Sequence, residues 1–229
     1  MLRIWAIGDL HLSFAMPKPM DVFGPQWKDH PEKIRQNCAK LIAPDDLLLI
    51  PGDISWAIKR ADADVDLAFV AALPGVKILC KGNHDYWWDS DRPLRCEGLH
   101  DTPYLSADGR IGVAGTRGWP PLVGPLTDDE RAKGEKTVER ELRRLRKRLE
   151  AIKDCEIKYA MIHHPPLPAF APLLREYGVS TVLYGHVHLG GSDEILPQRW
   201  HGMHCLCVAA DRIRFTPRLI ETVDTGDRV

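Results

Sequence analysis

Five short apolar runs, LRIWAI, LLLI, VKILC, KYAMI and TVLY, are rich in branched side chains and bounded by glycine or proline. That pattern predicts buried strands. Each run is followed directly, or after one residue, by a polar cluster: GDLH at 8–11, GDIS at 52–55, GNHD at 82–85, HHPP at 163–166 and GHVH at 185–188. The polar chemistry of the chain therefore falls at strand ends.

Between these runs the pattern becomes helical. Pro31 opens a helix that runs through Leu41, and Pro44 ends it before LLLI. A second helix is predicted from about Ala61 to Leu73, stopped by Pro74 and Gly75. Strand, helix, strand, helix, strand across the first 80 or so residues argues for an α/β arrangement with binding residues at the carboxyl ends of the strands. The intervening SFAMPKPMDVFGPQW, with three prolines and a glycine, suits an irregular loop lining a pocket.

Farther along, IGVAGTRGW at 111–119 reads as a strand and a turn. Thr127 with Glu130 makes a capping box, and Val138, Leu142, Leu145, Leu149 and Ile152 recur at spacings of four and three, which predicts one amphipathic helix at about 127–152. Its other faces carry Arg140, Arg143, Arg144, Arg146, Lys147 and Arg148 interleaved with Glu139, Glu141 and Glu150. We read these as a solvated face with charge pairs, the alternative being a basic patch. HCLCVAAD and IRFTPRLIE predict two adjacent strands that close a sheet.

Composition narrows the picture. A chain of 229 residues fits one domain, residues 1–229, with the helix at 127–152 as an insertion. The 31 Lys and Arg nearly balance 32 Asp and Glu, so no electrostatic footprint of a nucleic-acid partner is expected, and no run approaches the roughly 18 apolar residues of a membrane span. A cleaved leader would remove Asp9 and His11 with it, so none is expected. The six cysteines form no CxxC pair and read as reduced packing residues of a cytoplasmic protein. Cys205 and Cys207 share one strand face, where a metal or redox role is the alternative to packing.

Asp9 and His11 are one residue apart, as are His186 and His188, a spacing that points both side chains of a strand end the same way, as a chelating pair requires. Asp53 offers a carboxylate able to bridge two ions, and Asn83 a neutral carbonyl ligand. Singly, each cluster also reads as a turn; jointly they form an oxygen and imidazole donor set suited to Mn, Fe or Zn.

In this order, Asp9/His11, Asp53, Asn83/His84/Asp85, His163 and His186/His188 resemble the motif series of the calcineurin-like metallophosphoesterases, from Gly8 to His188. The resemblance implies a four-layer α/β/β/α sandwich of two mixed β-sheets flanked by helices. It also implies two divalent metal ions, one on Asp9, His11, Asp53 and His188, the other on Asp53, Asn83, His163 and His186. The function it implies is hydrolysis of a small phosphodiester by metal-activated hydroxide, with a phosphomonoesterase, a nuclease or a non-catalytic scaffold as alternatives.

His84 is expected beside the scissile phosphate, protonating the leaving oxygen or stabilising its charge, with Asp85 fixing its tautomer. His163 rather than His164 is the expected ligand. Tyr86, Trp87 and Trp88 are either a wall for the leaving group or core packing, and Arg117 and Trp119 either substrate contacts or an ordinary turn. Expected partners are a small phosphoester substrate, with no membrane and no nucleic acid.

Overall fold

The computed structural model describes residues 1–89, 93–122, 124–191 and 194–224. The first half of the chain runs β1 (Leu2–Ala6), α1 (His30–Leu41), β2 (Leu47–Pro51), α2 (Arg60–Ala71), β3 (Val76–Cys80) and β4 (Leu99–Asp101). These four strands are parallel, and β11 (Arg218–Val223) pairs antiparallel along the free edge of β1, giving the order β11-β1-β2-β3-β4. The second sheet is built from β5 (Tyr104–Leu105), β6 (Ile111–Thr116), β7 (Ile157–Ile162), β8 (Thr181–Tyr184), β9 (Arg199–Trp200) and β10 (Met203–Cys207), in the order β5-β6-β7-β8-β10-β9. Its two end strands are antiparallel to their neighbours and the rest are parallel. Both sheets are therefore mixed.

Three apolar cores stack the layers. Ile4, Ala6, Leu49 and Ile78 of the first sheet meet Val113, Tyr159, Met161 and Leu183 of the second. The alternate residues Trp5, Leu48, Ile50 and Leu79 turn the other way and pack on Ile34 and Cys38 of α1 and Leu67 and Val70 of α2. Across the molecule, Ala160, Ile162, Val182 and Tyr184 face Leu145 and Leu149 of α3 (Asp128–Ala151) and Leu173 and Leu174 of α4 (Ala171–Glu176). Strands covered on both faces need no polar alternation, which is why they appear as unbroken apolar runs. The result is the α/β/β/α sandwich that the resemblance implied.

α3 begins with the full capping box of Thr127 and Glu130. Several of its arginines form the expected charge pairs, among them Arg146 with Glu176 at 2.8 Å and Arg143 with Glu139 at 4.0 Å. Glu141 departs from the expectation of a solvated face. It is buried, accepts a hydrogen bond from Thr116 Oγ1 at 2.5 Å and pairs with Arg144 at 2.7 Å, tying the helix to the end of β6.

The C-terminal segment corrects the sequence reading. HCLCVAAD and IRFTPRLIE are not neighbours: β10 lies beside β8 in the second sheet, whereas β11 crosses back to β1 in the first. Residues 210–215 form turns rather than a strand, with Arg214 and Phe215 at φ 54° and 55° reversing the chain. Apolar spacing marks a strand but not which open edge it covers, and β1 without β11 would expose an unpaired ladder.

Candidate metal centre

The carboxyl ends of the strands in both sheets meet at one place. Asp9, His11, Asp53 and His186 stand there at φ 56°, 45°, 52° and 67°. Left-handed backbone at a residue other than glycine costs about 1–3 kcal/mol, and here it is held by a web of main-chain bonds. Asp9 N donates to Gly52 O at 2.9 Å and His11 N to Asp53 O at 3.0 Å. The carboxylates are gripped in turn: Asp9 accepts from His186 N at 2.9 Å and Asp53 from His84 N at 2.8 Å.

These grips explain the glycine before the ligand-type residue. A Cβ on Gly82 would meet the backbone nitrogen and Oδ1 of Asp53, and one on Gly185 would meet the carboxylate of Asp9. At Gly82 no rotamer change relieves the collision with the main chain, and at Gly185 a side chain would displace the carboxylate of Asp9, so glycine is required for the close approach.

All seven donor residues named from the sequence converge. His11 Nε2 and His188 Nε2 face each other at 3.2 Å, and His188 Nε2 is 3.9 Å from Asp9 Oδ1. His163 Nε2 and His186 Nδ1 lie 2.6 and 3.0 Å from Asn83 Oδ1. Asp53 stands between the halves, Oδ2 3.8 Å from His11 Nε2 and Oδ1 3.4 Å from His163 Nε2. Two sets of donors lie close enough to share an ion: Asp9, His11 and His188, and Asp9, Asp53 and His163.

Among the described residues, no lysine or arginine enters the ion pairs of the cluster. Burial raises the carboxyl of Asp9 well above its usual range, opposed by His188 and reinforced by Asp53, and burial likewise raises Asp53 against the pull of His84. Among the described residues their ion-pair contacts are all with imidazoles. Most of those rings are biased toward the neutral form: burial, then His188 and His84, lowers His11, and burial lowers His163 to about 3, whereas at His188 burial is outweighed by Asp211 and Asp9 and the imidazole is raised. Two buried acids facing imidazole nitrogen and amide oxygen donors fit divalent cations.

His163 and His164 take different places. His163 also touches Pro51 O through Nδ1 at 3.0 Å, while His164 packs against His186, ring centroids 4.1 Å apart, and its Nδ1 is buried without a hydrogen bond. His84 stands at the rim, Nε2 4.0 Å from Asp53 Oδ2. Asp85 differs from the expectation that it orients this imidazole. Its carboxylate accepts from the backbone of Ile54 at 2.9 Å, Ser55 at 3.0 Å and Gly82 at 2.8 Å, and His84 Nδ1 is left without a partner. Backbone amides need a fixed acceptor where two loops meet, and a buried carboxylate is the strongest one.

Trp87 and Trp88 pack in the core rather than walling the site, and Tyr86 is exposed. Arg117 lays its guanidinium over Trp119, 4.8 Å from the ring centroid. The aromatic wall is made by residues that the motifs do not include, Trp27 and Trp56. Asp211 is a further omission: it accepts from Leu189 N at 2.8 Å and lies 3.1 Å from His188 Nδ1, the orientation of a carboxylate that steadies a ligand imidazole. The signal for Asp211 was present, an acid directly after the apolar run CVAA, as in the other clusters.

The six cysteines are free thiols, with Cys205 and Cys207 packed in the core beneath α4. Among the described residues no helix is long and apolar enough to cross a membrane.

Comparisons with known proteins agree with this architecture. A solved protein of unknown function from Aquifex aeolicus is 18% identical, with 96% of each chain covered and a TM-score of 0.51. Phosphopantetheinyl hydrolase from Mycobacterium tuberculosis is 15% identical over 99% of this chain and 96% of its own, with a TM-score of 0.56. At such identities the likeness is one of fold. No curated protein matches the sequence. The sequence model of the calcineurin-like phosphoesterases matches residues 2–190, the stretch that carries all five polar clusters. The chain therefore belongs to the calcineurin-like phosphoesterase family, metal-dependent hydrolases of phosphoric esters.

Proposed function

We propose that this chain is a two-metal phosphodiesterase acting on a small phosphodiester. The observation that carries this reading is the convergence of two buried carboxylates, Asn83 and four imidazoles whose charge no lysine or arginine balances in the ion pairs described. Asp9, His11, Asp53 and His188 would hold one divalent ion and Asp53, Asn83, His163 and His186 the other. Asp53 turns one oxygen toward His11 and the other toward His163, which supports it as the shared ligand. Mn, Fe or Zn suits the donor set.

When bound, two such cations offset charge on the phosphoryl oxygens and lower the pKa of the attacking water. The protein's own groups do the rest. In hydrolysis the water gives a proton to solvent as its oxygen bonds to phosphorus, the ester P–O bond breaks, and the leaving oxygen takes a proton from protonated His84, which solvent then restores. Proton donation helps most when the departing alkoxide is poor, which favours a diester over an activated ester. Asp85 keeps the GNHD loop against the GDIS loop and so positions His84 without touching the reaction. Near-balanced charge and the ion pairs of several α3 arginines support a small substrate over duplex DNA.

The test is metal analysis of the purified chain, with diesters and monoesters, a phosphopantetheinyl ester among them, assayed in Mn, Fe, Zn and Mg. Asp53→Ala should lose both ions and activity. Loss of one ion with near-normal turnover would remove Asp53 from the shared position, and a higher kcat/KM for monoesters would make the enzyme a phosphomonoesterase.

A further inference from the structure

Outside the donor cluster lies a cavity of about 390 Å³ whose floor is His11, His84 and His188. Met20, Phe23, Trp27 and Trp56 wall it, with Leu189 and two glycines opposite. Trp27 sets itself edge-on to His11 and His188, centroids 5.8 and 5.6 Å apart. Trp56 lies nearly parallel to His11, 20° and 4.9 Å, and 4.1 Å from His84. Its indole is braced from two directions: Nε1 points at Met20 Sδ at 3.2 Å and the Lys18 ammonium stands over the ring, 3.1 Å from its centroid. Both are contacts that hold an aromatic ring in place.

We propose that this cavity receives the leaving group of the phosphoester, and that the group it selects is a planar ring, either an aryl ring or a nucleobase. This rests on the phosphodiesterase reading. The floor fixes the location, because a leaving oxygen within reach of His84 carries its substituent into the space that His84 lines. The walls fix the chemistry. Indole and phenyl side chains walling a volume roomy enough for one or two fused rings favour another aromatic ring. A polyol or a charged leaving group would give up its water against Met20, Phe23, Trp27 and Leu189 without recovering hydrogen bonds from them.

Phe23 and Leu189 are 59% and 49% exposed, so alanine at either position leaves the core untouched. With the full chain loaded with Mn, calorimetry would compare phenylphosphonate, adenosine 5′-phosphonate and methylphosphonate, and kinetics would compare phenyl, nucleoside and methyl diesters. At least one ring-bearing phosphonate should bind the wild type about tenfold or more tighter than methylphosphonate, as burial of a ring implies. Phe23→Ala and Leu189→Ala should each cut that ratio severalfold, mainly through KM, and Val65→Ala on α2 should not. The phenyl and adenosine arms tell aryl from base. Equal binding of all three phosphonates, or a preference for a linear pantetheinyl ester over both rings, would overturn the proposal while leaving the phosphodiesterase reading intact. A metal-loaded protein that hydrolyses none of the esters and binds none of the phosphonates would sink both.

Discussion

At the amino ends of β1 and β2, Asp46 is answered by an arginine as well as by hydrogen bonds, whereas at the carboxyl ends of the same strands Asp9 and Asp53 are answered only by backbone amides and imidazoles among the described residues. Asp46 accepts from Ala43 N at 2.8 Å, Trp5 Nε1 at 3.1 Å and Arg3 N at 3.1 Å, and pairs with the Arg3 guanidinium at 2.8 Å. Burial pushes its carboxyl up, but the bonds from Ala43, Arg3 and Trp5 outweigh it and hold it below the usual range. Asp9 and Asp53 are shifted the other way. A buried carboxylate is tolerable when paired and costly when not. The two ends of one sheet thus separate a finished structural anchor from a site that needs a cation to complete it.

The comparison breaks most completely at the glycines. Gly82→Ala places a methyl group against the main chain of Asp53, and neither partner can rotate away. Metal content and activity should both fall below one hundredth of the wild type, at a cost of several kcal/mol in chemical denaturation, a large effect for a single methyl group. Full metal content in this variant would show that the close approach of the loops is not what builds the site.

Next in size is His84→Ala, which should leave both ions bound and slow the hydrolysis of an alkyl or nucleoside diester by about 10²–10⁴-fold, while an activated nitrophenyl diester slows much less. Equal losses on the two esters would leave His84 an electrostatic role rather than a proton to give. Smaller again is Asp211→Asn. The change removes the charge that faces His188 Nδ1 while keeping the shape, so metal affinity measured by calorimetry should weaken about 10–100-fold with kcat at saturating metal largely retained. Unchanged affinity would reduce Asp211 to an anchor for Leu189 N.

These effects also divide what the sequence disclosed from what it concealed. Asp9, Asp53, Asn83, His163 and the GHVH histidines were legible because each follows a buried strand, and the strand end fixes where the side chain goes. The partners of Asp85 were not, because a carboxylate beside a histidine suggests an imidazole contact, while its actual bonds reach amides about 30 residues away in sequence. Trp27 lies in a loop with no period and Trp56 just beyond a motif, so neither announced that it faces the cavity. The strand character of β11 is legible in its sequence but its neighbour is not, since edge pairing is decided by a partner more than 200 residues distant in the chain.

The smallest effect tests the other end of the sheet. Asp46→Asn keeps the volume but removes the charge that Arg3, Trp5 and Ala43 surround, and should destabilise the fold by about 1.5–3 kcal/mol at neutral pH, the range for hydrogen bonds to a charged group. Because the folded carboxyl is held below its unfolded value, its contribution is complete above the unfolded pKa of about 4 and disappears as pH falls through the folded value. Denaturation curves of the wild type and the variant should therefore stand apart at pH 7 and draw together below about pH 4. Metal content and KM should be the same in both proteins, since Asp46 belongs to the end of the strands that the protein completes by itself. A stability gap that persists unchanged at low pH would mean that Asn fails at this position through packing rather than through the loss of a charge.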